Sequence, residues 1–278
     1  MSRRILVAKT NDHHCGSTVA VCPPEVRLDD GGYYGASPEQ LWLWQCYGDF
    51  WEKVAEKRER ENAELVAVFN GDLTDGNHHG TTQIMSGNPN AQAAAVNACM
   101  KVALDKKPSR IYMVRGTEAH VGPSAAHEER IADGLRRDGR PIVSDPKTGN
   151  ASWWHCHQTF EGVRVDIAHH GRTGQREHTR GGAAVLHAHD ILMSYVKRND
   201  LPPHLALRAH HHRFNDSYDA CPVRVITNGA WQLATAYVHR KCTDTLADIG
   251  GLLITMQDGE YEAEKVHFPP KDGSVWTA

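Results

Sequence analysis

Five short, largely apolar runs in this chain each stop at an aspartate, a histidine or both. Residues 5–8 run into Asp12-His13-His14, and 65–69 into Asn70-Gly71-Asp72-Leu73-Thr74-Asp75. Residues 111–114 lead to Arg115-Gly116-Thr117-Glu118-Ala119-His120, 163–168 to His169-His170-Gly171, and 205–209 to His210-His211-His212. Short apolar runs bounded by glycine and polar residues read as buried strands. Longer periodic segments between them predict helices over 38–62, 91–104, 125–137 and 183–196. Ser37 caps the first of these, and Pro38 suits its opening turn. A strand at 223–227 and a hairpin of 251–256 with 261–266, turning at Asp258-Gly259, complete the pattern. Interleaved strands and helices define an α/β chain. In open α/β sheets ligands bind at the carboxyl ends of strands, so five such ends predict one polar site on one sheet edge.

Length and composition narrow the choices. A chain of 278 residues, 40% hydrophobic and 23% charged, can bury a sizeable core, and a single α/β domain over 1–278 is the expectation. The net charge of −3 argues against attraction of the whole protein to nucleic acid and leaves room for a local basic patch. Nineteen histidines direct attention to metal chemistry, because imidazole is the commonest metal ligand. The seven cysteines form no C-x-x-C pair and read as reduced thiols of a cytoplasmic protein, in a bacterial or phage-infected cell. The apolar run in MSRRILVAKT is too short for a signal peptide, and no stretch approaches a membrane span.

Taken singly, each strand end has an ordinary explanation. Asp and His are good turn residues, Gly71-Asp72 makes a turn, and His210-His211-His212 makes a solvated cluster. Taken together, the five ends gather the carboxylates and imidazoles that two neighbouring divalent cations require. Mixed oxygen and nitrogen donors suit Mn, Fe, Zn or Ni rather than a soft thiolate site.

The motif order resembles that of the calcineurin-like metallophosphoesterases: D-x-H, G-D-x-x-D, G-N-H-[DE], a strand-end His, then G-H-x-H. This chain has D-H-H at 12–14, G-D-L-T-D at 71–75, G-T-E-A-H at 116–120, H-H-G at 169–171 and A-H-H-H at 209–212. It is more similar still to phage and bacterial members with G-T-x-x-H in third place and an aromatic stretch like GAWQLATAYVHR at 229–240. The resemblance implies two facing mixed β-sheets flanked by helices, a four-layer αββα sandwich. It implies two divalent metal ions, Mn first among the candidates, with a water between them as nucleophile. Asp12, His14 and His212 are implied as ligands of one metal and His210 with a strand-end His as ligands of the other, with Asp72 bridging. His170 is the favoured strand-end ligand and His169 the second choice. His120 is implied as the catalytic acid and Asp75 as the residue that orients it. Thr117 stands where the family has a ligating Asn, and Glu118 is the alternative donor. Ala209 replaces a Gly.

Hydrolysis of a phosphodiester, by a nuclease or nucleotide phosphodiesterase, is the first expectation for function. A phosphomonoesterase and a catalytically impaired metal-binding scaffold are the alternatives. Nucleotide or nucleic acid is the expected partner, and no membrane is. Arg115 and the loop residues Arg172, Arg176 and Arg180 are candidates for phosphate contact, because a guanidinium fork matches phosphate oxygens. Trp153, Trp154 and Trp231 read as core or lid, with base stacking as the second reading. His78 and His79 read as turn residues or pocket lining.

Overall fold

The computed structural model describes residues 3–78, 80–172, 174, 179–241 and 246–270. The first sheet contains β1 (Ile5–Thr10), β4 (Glu64–Asn70), β5 (Arg110–Val114), β11 (Gly250–Gln257) and β12 (Glu260–His267), in the order β12-β11-β1-β4-β5. Strands β1, β4 and β5 are parallel, and β11 and β12 form the antiparallel hairpin. The second sheet runs β6 (Cys156–Phe160), β7 (Val163–Ile167), β8 (Leu205–Arg208), β10 (Arg224–Thr227), β9 (Asn215–Asp216). Here β7, β8 and β10 are parallel, and the two edge strands are antiparallel. A small hairpin of β2 (Glu25–Arg27) and β3 (Tyr33–Gly35) stands apart.

The period-2 geometry of a strand sorts the layers. In β1, Ile5 and Val7 face the second sheet, where they pack with Val66, Val68, Val165, Ile167, Leu207 and Ile254. Leu6 and Ala8 face the other way, toward Tyr47, Phe50 and Trp51 of α1 (Pro38–Glu61) and toward α2 (Pro89–Leu104) and α4 (Ala126–Arg137). The outer face of the second sheet is covered by α5 (Arg180–Lys197), whose Ala188 and Ile191 meet Ala206 and Val225. The result is helix, sheet, sheet, helix, the four-layer sandwich. Each large apolar side chain fully buried here contributes about 1.5–3 kcal/mol. A one-residue slip of β1 would turn Ile5 and Val7 onto the wrong layer, so the register is strongly held.

Several boundaries moved from the sequence expectation. β1 continues two residues past Ala8, because Lys9 and Thr10 are buried as well. Lys9 is tolerated there because its ammonium donates to Asn11 Oδ1 at 2.7 Å, to the Arg208 carbonyl at 3.0 Å and to Asn228 Oδ1. Helix α1 ends at Glu61 with Asn62 as a left-handed cap, and Ser37 and Gln40 form a capping box at its start. Two short helices were not anticipated: α3 (Glu118–Val121) and α6 (Ala236–Lys241). Trp153 and Trp231 are core residues, whose indole N–H groups reach the Val143 carbonyl and Thr10 Oγ1. No helix among the described residues is long and apolar enough to cross a membrane.

Candidate metal centre

The parallel strands of both sheets point their carboxyl ends to the same edge, and the five motif ends meet there. Several site residues hold a left-handed backbone that ordinary side chains avoid: Asp12 (φ 50°), His14 (φ 45°), Asp72 (φ 52°), His210 (φ 74°) and His212 (φ 53°). Such conformations cost about 1–3 kcal/mol each and persist where surrounding contacts over-determine them. Here the backbone supplies those contacts. Asp12 N–H donates to the Gly71 carbonyl at 2.9 Å, His14 N–H to that of Asp72 at 2.9 Å, and Trp231 N–H to that of Asp12 at 3.0 Å. Gly71 and Gly116 allow the loops to close on one another, because a Cβ at either would collide with the His169 ring or the Asp72 carboxylate.

Asp12, His14 and His212 form one group. Asp12 Oδ2 accepts from Asn11 Nδ2 and from His210 N–H at 3.0 Å. Its Oδ1 is fully buried and has no hydrogen-bond partner among the described residues. Around that oxygen stand three imidazole nitrogens: His169 Nε2 at 3.7 Å, His212 Nε2 at 3.7 Å and His14 Nε2 at 3.9 Å. His14 Nδ1 donates to Asp75 Oδ1 at 3.1 Å, which leaves its Nε2 lone pair 3.1 Å from His212 Nε2. Imidazole nitrogens converging on an orphaned carboxylate oxygen describe a cation site.

The second group is His169, His170 and His210. His169 is buried, and its Nδ1 donates to the Asn70 carbonyl at 2.7 Å. That tautomer turns Nε2 toward Asp72 Oδ2 at 3.0 Å. His170 is more exposed, with Nε2 at 3.3 Å from Thr117 Oγ1, and His210 Nδ1 is 3.2 Å from the same hydroxyl. Asp72 lies between the groups, its Oδ1 accepting from Thr117 N–H at 2.6 Å. The donors present fit a pair of divalent cations. Asp12, His14 and His212 would hold one, His210 with His169 or His170 the other, and Asp72 would face both.

Electrostatics divide these imidazoles: burial opposes the cationic form of His14, but Asp75, Asp72 and Asp12 outweigh it and raise His14 above the ordinary imidazole range. Burial lowers His210 to about 4 and His212 to about 3, so both are neutral and able to ligate at pH 7. Burial opposes the cationic form of His169 too, but Asp72 and Asp12 outweigh it and raise His169 to about 10. Asp72 is held below the ordinary carboxylate range, burial being overcome chiefly by His169.

The remaining predicted residues fall differently. Asp75, expected to orient His120, meets that ring through its main-chain carbonyl, which accepts from His120 Nδ1 at 2.9 Å, while its carboxylate pairs with His14. Gln232 also donates to Asp75 Oδ1, at 3.3 Å. Glu118 does not reach the centre: it is exposed and accepts from Ser124 N–H at 2.9 Å. Arg115 is turned away, bound to Ser152 Oγ at 2.8 Å and Glu129 Oε2 at 3.1 Å. Arg172 pairs with Asp190 at 2.6 Å and Arg180 with Asp248 at 2.7 Å. Arg176 and His79 lie outside the described residues. His13, between two site residues, packs in the core against Tyr47 and Phe69, where burial lowers it to about 3.

One contributor had no sequence signal. Glu128 reads as an outer charge of its helix, yet it is fully buried. Its carboxyl accepts from Gly116 N–H at 2.6 Å and from Leu73 N–H at 3.2 Å, joining the loops that carry Thr117 and Asp72. Burial, then Asp72, pushes it up to about 8.

The centre opens on a cavity of about 520 Å³ lined by His14, Asp72, Asp75, His78, His120 and His212 and also by Thr81, Gln83, Tyr237 and Arg240. The carboxylate behind His14 gives a direct prediction. Asp75→Asn should weaken metal binding or activity about 10–100-fold, the usual cost of losing the acceptor behind a ligating imidazole. Calorimetric titration with Mn of the metal-stripped protein checks it, and an unchanged affinity would show that Asp75 does not support His14 as a ligand.

No family model matches the chain, and no curated protein sequence does. Among solved structures it is similar to Vacuolar Protein Sorting 29 from Cryptosporidium parvum, at 8% identity over 96% of this chain and 100% of that one, with a TM-score of 0.44. It is also similar to a dimetal phosphatase from Danio rerio, at 10% identity over 94% of this chain and 95% of that one, with a TM-score of 0.45. At these scores neither likeness bears on what the chain does. The chain's own residues build a four-layer helix-sheet-sheet-helix sandwich with five Asp- and His-bearing strand ends at one edge.

Proposed function

We propose that this chain is a metal-dependent phosphoric ester hydrolase that uses two divalent cations to cleave a phosphodiester. The observation that carries the reading is the buried, unpartnered Asp12 Oδ1, ringed by the imidazole nitrogens of His14, His169 and His212 beside Asp72. Two bound cations would supply Lewis-acid charge and lower the pKa of coordinated water. The residues of the chain do the rest. Asp12, Asp72 and the five imidazoles of His14, His169, His170, His210 and His212 offer the ligands. His169 is the better strand-end ligand, because its bond to Asn70 fixes the tautomer and aims Nε2 at Asp72. The Thr117 hydroxyl stands beside His170 and His210, in the place of the family's Asn. His120 donates Nδ1–H to a carbonyl, so the cationic form keeps Nε2–H free to give its proton to the leaving oxygen and is left as the neutral imidazole.

Support for a diester comes from the cavity. Its lining includes Thr81, Gln83, Tyr237 and Arg240 besides the ligand cluster, and its volume of about 520 Å³ leaves space for an organic group beyond the phosphorus. A nuclease or nucleotide phosphodiesterase is the finer reading, with Mn as the first metal to supply. The test compares bis-p-nitrophenyl phosphate with p-nitrophenyl phosphate, with Mn added and with chelator. Hydrolysis of the diester, abolished by chelator, is the expected result. Hydrolysis of the monoester alone would establish a phosphomonoesterase, and inertness toward both would leave a metal-binding scaffold.

A further inference from the structure

A second convergence of ligating side chains lies on the far side of the second sheet. Cys156, Val165 and Ile167 face the inter-sheet core, so His157 on β6 and Asp166 on β7 face the α5 side. The two are paired in register across the β6–β7 ladder. His155, two residues before His157, projects to the same side. His155 Nε2 is 2.8 Å from Asp166 Oδ1, His157 Nε2 is 3.5 Å from Oδ2, and the two rings are 4.0 Å apart. Asp166 is buried, while both imidazoles are about half exposed, at 47% and 48%. From the buried side Arg208 Nη1 grips Asp166 Oδ1 at 2.8 Å and also donates to the Asp166 and Leu207 carbonyls. The Tyr195 hydroxyl of α5 lies 2.9 Å from His157 Nε2.

An ion pair explains Arg208 and Asp166 but not the two histidines. A single carboxylate already matched by a buried guanidinium needs no further cationic partner. Yet two imidazoles close on it from the solvent side, each with Nε2 forward.

We propose that His155, His157 and Asp166 bind one zinc-like divalent transition cation, at a site separate from the two-metal centre. Two imidazole nitrogens and one carboxylate oxygen make a borderline donor set suited to such ions, and the solvent side leaves a position for water or the Tyr195 hydroxyl. Ligand bonds of about 2.0–2.2 Å require donors within roughly 4.2 Å of one another. His155 meets that limit with Asp166 Oδ1 and His157 with Oδ2, and a set of one donor atom from each residue lies within 4.8 Å. Small turns of two half-exposed rings close the remainder, while Arg208 holds Asp166 as the fixed point. The cation would clamp β6, an edge strand of its sheet, onto β7.

Zinc content measured on the full chain tests this independently of any hydrolytic activity. The Mn-loaded protein is dialysed against zinc and its metals counted by elemental analysis, beside the double variant His155→Ala/His157→Ala. The variant should hold one zinc equivalent fewer than the wild type, and its Mn-dependent hydrolysis should be unchanged. Equal zinc content in the two proteins overturns the site. Carbethoxylation of the unmutated chain, mapped by mass spectrometry, gives a second readout free of folding effects. Zinc should protect His155 and His157, and modification at the same rate with and without zinc overturns the proposal. Inertness toward every phosphoester would defeat the proposed function and leave the zinc count as it is.

Discussion

Replacing Asp72 with Asn is expected to abolish phosphodiester hydrolysis and release most of the bound metal. Asp72 faces both ligand groups: its Oδ2 is 3.0 Å from His169, and it clusters with His14 and His120. Asn keeps the shape, keeps an oxygen for the Thr117 N–H, and tolerates the left-handed backbone that Asp72 adopts at φ 52°. The fold should therefore survive. What is lost is one of two carboxylate charges, Asp12 and Asp72, in the ligand set. The effect should exceed the roughly 10–100-fold that follows removal of an outer partner such as Asp75. Elemental analysis and the diester rate are the readouts. Full metal occupancy at an undiminished rate would remove Asp72 from between the cations.

His120→Ala should act on the rate and not on the metal. Its ring stands 4.5 Å from that of His14 and 4.3 Å from that of His78, on the cavity wall, and its Nδ1–H is committed to the Asp75 carbonyl. A general acid in this place contributes about 10²–10⁴-fold, so turnover should fall by that factor with metal content intact. The loss should shrink for substrates whose leaving group needs no proton. Burial, then the charge of His14, lowers His120 below the ordinary imidazole range. Its cationic form is therefore populated on the acid side and lost as pH rises. For a poor leaving group the wild-type rate should decline over that rise, and the variant should lack the decline. A large loss of metal in the variant would instead place His120 among the ligands.

The sequence by itself determined the layered α/β class and the elements that carry the centre. Short apolar runs placed β1, β4, β5, β7 and β8, and their polar ends marked the edge where Asp12, His14, Asp72, His120, His170, His210 and His212 come together. That much was legible because periodicity and strand ends are local properties of the chain. Tertiary structure decided which donors face inward. Of two adjacent histidines, His169 is buried on Asp72 because Asn70, far away in sequence, holds its Nδ1. In Asp12-His13-His14 the middle ring belongs to the core because Tyr47 of α1 packs against it. Arg115, Arg172 and Arg180 read as phosphate ligands until Glu129, Asp190 and Asp248 are seen to claim them. Glu128 reads as a surface charge and Lys9 lies just past the predicted strand, and both are buried where main-chain and side-chain partners from distant segments satisfy them. Residue type fixes what a side chain can donate or accept. Which partner it meets depends on contacts between segments far apart in the chain, and only the folded sandwich brings those together.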